Sequence, residues 1–486
     1  LDFNADGNLD ILLVGSRLAL YKGNGQGQFT DVTRSTGLHH LSGDFRGCAT
    51  GDIDNDGWTD IYISAFRGGV LLHNEQGRSF RDITLSAGLA KQPWGSSCTF
   101  FDADSDGKLD LYIGNYVRFG STIKPQLCNL HGIMTSCGPG EYAPERGVLY
   151  RNLGNQRFED VTSRWKLQTV SGKTLGVAAV PLTNTGLTNT GLTLLLSNDQ
   201  VPGNLMQFTP NGFVDRGVEW GTAFGADGRV YGGMGVDWGD YNNDGLQDAI
   251  IATFQGQAKP IFQNQGEGFT IPDTAGLGML SSVPFVAFGV KWLDVENDGW
   301  LDLLITNGHV QDNIADVELF APNSPGSRYR QPTLLYRNHQ GRRFTDESAR
   351  LQDSAQGLLP PIVGRGLAIG DYDNDGRVDA LLVDSEGSPQ LLHNVTPQQN
   401  NWLMIRLQGK HKTRDAYGSI VTVQTSTQKQ TRFCHTDGSY LSASDSRLHF
   451  GIGDAKQVTV TVRWLGGKTQ IYRHVSCNQV ITLYEK

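Results

Sequence analysis

Short runs rich in Val, Ile, Leu, Tyr and Phe recur along most of the chain, each closed by a cluster of Asp, Asn and Gly. Runs of this length bounded by turn residues read as β-strands. The clusters share one string, Asp-x-Asp/Asn/Glu-x-Asp-Gly-x-x-Asp, starting at Asp2, Asp52, Asp102, Asp240, Asp294 and Asp371. A looser string follows most of them, as in LLHNEQGRSFRDIT and LYRNLGNQRFEDVT, and reads as strand, Asn/Gly turn, strand.

The residues ahead of each string keep register too. Five positions before the first Asp stand Gly47, Ser97, Gly235, Gly289 and Gly366, all small, and next to them Cys48, Cys98, Val236, Val290 and Leu367, all apolar. Gly176 and Val177 fit the same register, but Pro181 stands where the first Asp should be, and Thr183 and Thr185 replace the next two acids. This is a seventh unit whose loop has decayed. Seven units of strand, loop, strand, hairpin and strand, at a period near 50 residues, cannot each bury two faces alone. Radial stacking solves this, so an all-β, seven-bladed β-propeller is expected rather than a β-solenoid, whose turns would be shorter and more uniform. Insertions fall at about 115 to 146, 186 to 191 and 308 to 331.

Hard oxygen ligands at alternate positions, with Gly allowing a sharp reversal, suit Ca²⁺. Positions 1, 3, 5 and 9 would supply side chains and position 7 a backbone carbonyl. The expected ligands are Asp2, Asn4, Asp6, Asn8 and Asp10; Asp52, Asp54, Asp56, Trp58 and Asp60; Asp102, Asp104, Asp106, Lys108 and Asp110. In the later units they are Asp240, Asn242, Asp244, Leu246 and Asp248; Asp294, Glu296, Asp298, Trp300 and Asp302; Asp371, Asp373, Asp375, Arg377 and Asp379. Position 12, acidic in a helical EF-hand, is Leu or Ile in all six, so each loop runs into a strand. No Cys or His lies inside a loop, which disfavours Zn²⁺.

Composition adds little to this picture. Gly is abundant, 61 residues against 17 Pro, as a protein of many tight turns requires. The net charge of -9 arises largely from the loops, which hold 22 of the 50 acids. Six Ca²⁺ would bring it to about +3. Without a basic block, nucleic acid is not an expected partner, and no apolar run is long enough for a membrane span.

From about Asn400 the acidic loops stop. WLMIRLQG, GSIVTVQTS, VTVTVRWLGG and QVITLYEK alternate apolar and polar residues and read as a small β-sandwich-like module. The division expected is a propeller at 1–397 and an all-β tail at 398–486. The repeats resemble the integrin-type FG-GAP or VCBS repeat, and DAYGSIVTV, GSYLSASDSRLHFGIGD and VTVRWLGGKTQ resemble the ASPIC/UnbV domain. Together with CGPGEYAPERGVLYRN, TNGHV, YRQPTLLYRN and GRGLAIGDYDNDG, they make the chain similar to the cartilage acidic protein-like family. That resemblance implies a secreted, periplasmic or extracellular calcium-binding propeller acting in binding or adhesion, its partner an extracellular protein, glycan or small molecule, and a monomer is expected.

Six cysteines, an even count, fit an oxidising compartment. Cys128 and Cys137 share one insertion and form the first expected disulfide; the family's cysteines stand at similar places. Cys434 and Cys477, on expected neighbouring strands of the tail, form the second. Cys48 and Cys98 read equally as buried thiols or a bridge.

Nucleophile and phosphate-loop motifs are absent from the sequence. His309 is a candidate base, or a structural histidine. Arg46 and Arg365 each lie six residues before a loop Asp, near the channel mouth, where they would receive an anionic group or balance the loops. Trp94, Tyr116 and Tyr142 would line that mouth or pack in the core. Two functions follow: a calcium-stabilised binding or adhesion protein, or a calcium-stabilised enzyme of natural-product metabolism, a cyclase or group-transfer catalyst, with its pocket at the channel mouth. Unit one lacks an inner strand before its loop and unit seven lacks its closing strand. The expectation is that roughly 20 to 40 further residues and an export signal precede Leu1.

Overall fold

The computed structural model describes residues 1–120, 126–130, 132–182, 192–316, 325–353, 357–410 and 413–486. It is a ring of seven antiparallel blades around a channel, with two further sheets on one face. Blade 2 is typical: Asp44–Gly51 lines the channel, followed outward by Asp60–Gly68, Val70–Asn74 and Phe80–Asp82. Blades 3 to 6 begin on the inner strands Gln92–Phe101, Thr174–Val180, Gly233–Gly239 and Ala287–Leu293. Blade 1 holds three strands, Ile11–Leu13, Ala19–Gly23 and Phe29–Asp31. Blade 7 also holds three, Gly364–Gly370, Asp379–Asp384 and Gln390–Leu392. Among the described residues the tail pairs as a strand with neither blade.

The near-continuous apolar strands follow from packing on both faces. In blade 2, Ile61 and Ile63 point into a cluster with Phe3, Leu18 and Leu20 of the first repeat. Tyr62, between them, points the other way, against Leu111 and Ile113 of blade 3. Successive side chains of a strand face opposite sides, so a strand between two blades must be apolar at every position. Burying each such side chain is worth about 1.5–3 kcal/mol.

The small residues ahead of each loop mark a tight approach at the axis. Each inner strand of blades 2 to 7 has a register shift there, for example between Gly233 and Val236. A Cβ on Gly235 would collide with the Phe288 carbonyl oxygen of blade 6 and lie 2.9 Å from that of Ser439. Ser439 belongs to the tail. The tail's first sheet places Asn401–Gln408 between Leu448–Gly453 and the parallel Gln479–Tyr484. Its second runs in the order Lys429–Phe433, Ile420–Gln424, Gln457–Arg463, Thr469–Ser476. The segment between Phe433 and Leu448 leaves these sheets and threads the channel as a plug. Asp437 accepts from the Thr99 hydroxyl (2.6 Å) and the Ala179 amide (2.8 Å), and Ser439 pairs with Val236. Ser97 accepts from the Leu441 amide, and Ser442 and Ser444 accept from the amides of Leu367 and Ile369.

Cys128 and Cys137 form the expected disulfide. The second expected bridge is corrected: Cys434 and Cys477 are both free. Cys434 follows Lys429–Phe433 at one edge of the four-stranded sheet and Cys477 follows Thr469–Ser476 at the other. Three strand spacings, roughly 14 Å, separate those edges, twice the reach of a disulfide. Cys48 and Cys98 are also free thiols. Among the described residues no helix is long and apolar enough to cross a membrane.

Candidate metal loops and the channel mouth

The acidic loops sit at the C-terminal ends of the inner strands, on the face that carries the tail. They share one hydrogen-bond scheme. The first Asp accepts from the amides of positions 5 and 6, as Asp52 does from Asp56 (3.0 Å) and Gly57 (2.8 Å). Position 5 accepts from the amide of position 7, as Asp56 does from Trp58 (2.9 Å). Position 4 is left-handed in all six, φ 53° to 59° from Ala5 to Asn374, which suits the Asn found in four of them. Gly at position 6 has φ 86° to 97°, closed to other residues without strain.

The ninth residue has a role not visible in the motif. Asp60 accepts from the amide of Ile53 (3.0 Å) and that of Asn74 in the hairpin (2.8 Å), so it fastens the loop to the third strand. The hairpin Asn then joins blades: Asn152 donates to Leu109 of its own loop (3.0 Å) and to Ile53 of the preceding one (2.8 Å). Asn338 does the same with Leu301 and Tyr241. Position 4 reaches the other way, Asn243 donating to Gly299 and Asn297 to Gly376, both at 3.0 Å. The loops of blades 5, 6, 7, 1, 2 and 3 are therefore tied in succession.

Three loops draw carboxylates within 4.8 Å of one another: Asp52, Asp54 and Asp56; Asp102, Asp104 and Asp110; Asp371, Asp373 and Asp379. Burial, reinforced by neighbouring carboxylates, pushes Asp52 and Asp379 up to about 8 and Asp102 to about 7. Asp54 Oδ1, Asp373 Oδ1, Asp240 Oδ1 and Asp248 Oδ2 are buried without a hydrogen-bond partner. Clustered, desolvated, acceptor-only oxygens with unused lone pairs fit a hard divalent cation. In blades 1 and 5 Asn4 and Asn242 turn their amide nitrogens to Asp6 and Asp244, and in blade 6 Glu296 is held by Arg350. Thr183 and Thr185 of the decayed loop lie outside the described residues.

Two histidines were missed by reading the loops alone. The residue before the hairpin Asn, or before Gly23 that replaces it in blade 1, overhangs the loop in several blades: Lys22 pairs with Asp6 at 3.0 Å and Arg151 with Asp104 at 2.7 Å. In blades 2 and 7 it is His73, 3.0 Å from Asp60, and His393, 3.0 Å from Asp373. The signal was the shared LLHN string. Imidazole is therefore within reach of two loops, which removes that argument against Zn²⁺ there.

The tail grips these loops. Asp415 accepts from the Asp52 amide at 2.6 Å, Arg447 donates to Asn374 (2.8 Å) and to the Asp371 carbonyl (2.7 Å), and Arg406 reaches Asp2 at 3.2 Å.

At the opposite end the channel opens into a cavity of about 860 Å³. Arg46, Arg365, Trp94, Tyr116 and Tyr142 all line it. Six residues of strand, roughly 20 Å, separate the two arginines from the loops, so they do not balance loop charge. The inner strand of blade 3 is extended here and pairs with blade 2, Phe66 opposite Trp94, with the two rings packed edge to face at 5.2 Å. Asp199 accepts from the Tyr116 hydroxyl at 2.7 Å, and burial lifts its carboxyl to about 6. His309 is 1% exposed and does not line the cavity. Its Nδ1 accepts from the Gln311 amide at 3.0 Å, and burial lowers the ring to about 4.

A ring of strand-loop-strand blades with an acidic turn in six of seven is the architecture of an FG-GAP propeller, and the family of that description, FG-GAP-like repeat, matches residues 2–63 and 52–113. The family described as ASPIC and UnbV matches residues 409–486. Along its length the chain is similar to cartilage acidic protein 1 of Xenopus tropicalis, 24% identical with 96% of this chain and 70% of the relative covered. The Mus musculus protein is also 24% identical, with 100% and 72% covered. The resemblance to the cartilage acidic protein-like family is thus borne out in both modules and in their order. The names of these relatives and the FG-GAP repeats point to an extracellular protein. Among solved structures, an Agrocybe aegerita lectin described as recognising non-reducing terminal N-acetylglucosamine is 13% identical, with 80% of this chain and 91% of that one covered, TM-score 0.41. AofleA from Arthrobotrys oligospora is 10% identical, with 84% and 90% covered, TM-score 0.35.

Proposed function

We propose that the chain is a secreted, calcium-stabilised binding or adhesion protein, a propeller at 1–397 with a second domain at 398–486, whose loops hold Ca²⁺ on the tail side and whose opposite face meets the ligand. The observation that carries this reading is the set of desolvated, partnerless carboxylate oxygens found in the loops of three blades, on Asp54, Asp240, Asp248 and Asp373. Calcium would neutralise them and let loops already tied to one another and to the tail persist. The second function, an enzyme at the channel mouth, draws on the cavity, but its candidate base is enclosed with Nδ1 engaged. Binding is what the side chains there support.

The test is thermal unfolding against free calcium. The transition should rise with calcium as ligand linkage requires and fall in chelator, and Asp54→Ala should reproduce part of that fall. A transition indifferent to both would contradict the proposal.

A further inference from the structure

We propose that the mouth cavity binds an amphipathic organic acid, its anionic group on Arg365 and its apolar body along the ring wall of blade 3. This deepens the binding reading above by naming the ligand class. The wall is built from Trp94, Tyr116, Phe119 and Tyr142, packed edge to face. Ring centroids lie 5.4 Å apart for Trp94 and Tyr116, 5.6 Å for Trp94 and Phe119, and 5.8 Å for Phe119 and Tyr142. None of the four is fully buried, so these rings present apolar area to the cavity instead of spending it on the core. A volume of about 860 Å³ is that of a small-molecule site.

Arg365 supplies the charge. Its guanidinium lies 4.0 Å over the Phe288 ring and donates to the carbonyls of Gly308 (3.0 Å), Gly364 (2.8 Å) and His309 (3.0 Å). Those contacts fix the fork in place and use three of its five N–H donors. Among the described residues it forms no ion pair. Of the acids whose charge reaches it through space, Asp384 is bonded to Arg330 at 2.7 Å and Glu386 to the Tyr329 hydroxyl at 3.2 Å. A half-buried cation with no direct ion pair carries a desolvation cost, and an anionic ligand would offset it with a charge-assisted hydrogen bond. Of the two buried acids that line the cavity, Asp199 is capped by Tyr116 and Asp384 is held by Arg330, and Arg46 is paired with Asp44 at 2.7 Å, so none of these competes for the site. Tyr440, from the channel plug, stacks edge to face on Phe288 at 4.9 Å and lines the same cavity, so the tail takes part in the site.

The test compares two fluorescent probes of one shape on the calcium-loaded full chain: 8-anilinonaphthalene-1-sulfonate, and its uncharged counterpart N-phenyl-1-naphthylamine. The sulfonate should saturate a single site about tenfold or more tightly than the amine. Arg365→Gln should abolish that preference and leave amine binding unchanged, while Trp94→Ala should weaken both. Equal affinity of the two probes for the wild-type protein, or sulfonate binding without saturation, would overturn the proposal. That comparison needs no variant, so it decides even if Arg365→Gln fails to fold. Calcium content measured on the same sample reports on the loops at the other end of the channel, so a failure of the calcium reading is distinguishable from a failure here.

Discussion

Lys291 and Asp237, on the inner strands of neighbouring blades, form an ion pair at 2.8 Å inside the channel, with side chains 4% and 3% exposed. The Lys291 ammonium also donates to the Asp437 carbonyl of the plug at 3.1 Å, and Asp237 accepts from the Trp292 amide at 2.9 Å. One charge pair therefore joins blade 5, blade 6 and the tail.

Removing one member should cost more than removing both. Lys291→Met leaves a buried carboxylate unpaired and should destabilise the protein by about 3–5 kcal/mol. Adding Asp237→Asn, which still accepts from Trp292, should recover much of that loss. Chemical denaturation of the single and double variants checks this; a double variant no more stable than Lys291→Met would contradict it.

The cross-blade asparagines should matter more than their place in a turn suggests. Asn152→Ala leaves two buried carbonyls, of Ile53 and Leu109, without that donor and should cost about 1–3 kcal/mol. Because it unties the blade 2 loop from blade 3, it should also weaken calcium binding at loops whose own ligands are intact, read by titration calorimetry. Unchanged calcium affinity would show the tie to be only structural.

The period of the chain was legible because each repeat carries its own signal, small residue, acid, Gly, apolar strand, and seven blades follow from counting them. Arg46 and Arg365 were legible as mouth residues because six residues of strand have a fixed length, whereas Trp94, Tyr116 and Tyr142 read from sequence as either mouth lining or core, and they line the cavity. The plug was not legible. DGSYLSASDS has no period of its own, and its partners, Ala179, Val236, Ser97 and Leu367, sit on separate blades. The overhanging histidines were missed because a ligand set was sought within each loop, whereas the hairpin folds back over it. The Cys434 to Cys477 pairing failed because sequence order says little about which strands share an edge.

Asp199 should make stability depend on pH. Burial raises its carboxyl from 3.8 to about 6. Between those values the folded protein keeps a proton the unfolded chain has released, so stability falls as pH rises through that window, and the full penalty stands at pH 7. Asp199→Asn keeps an acceptor for Tyr116 and should raise stability near neutral pH by up to about 3 kcal/mol, with little effect near pH 4. Melting curves at the two pH values check the sign; equal shifts at both would contradict it.

Thiol chemistry separates the cysteines. Under denaturing, non-reducing conditions four thiols should react, Cys48, Cys98, Cys434 and Cys477, with one bridge mapped between Cys128 and Cys137. Peptide mapping that finds Cys434 linked to Cys477 would show the tail sheet order to be wrong.

The central claim, that the repeated loops are calcium sites, is tested most directly by the metal content of the purified chain after exchange into calcium buffer. Elemental analysis should give about six calcium ions per chain, one for each intact loop, falling by about one with Asp104→Ala. A chain that retains no calcium, or whose tightly held metal is zinc, would contradict the account.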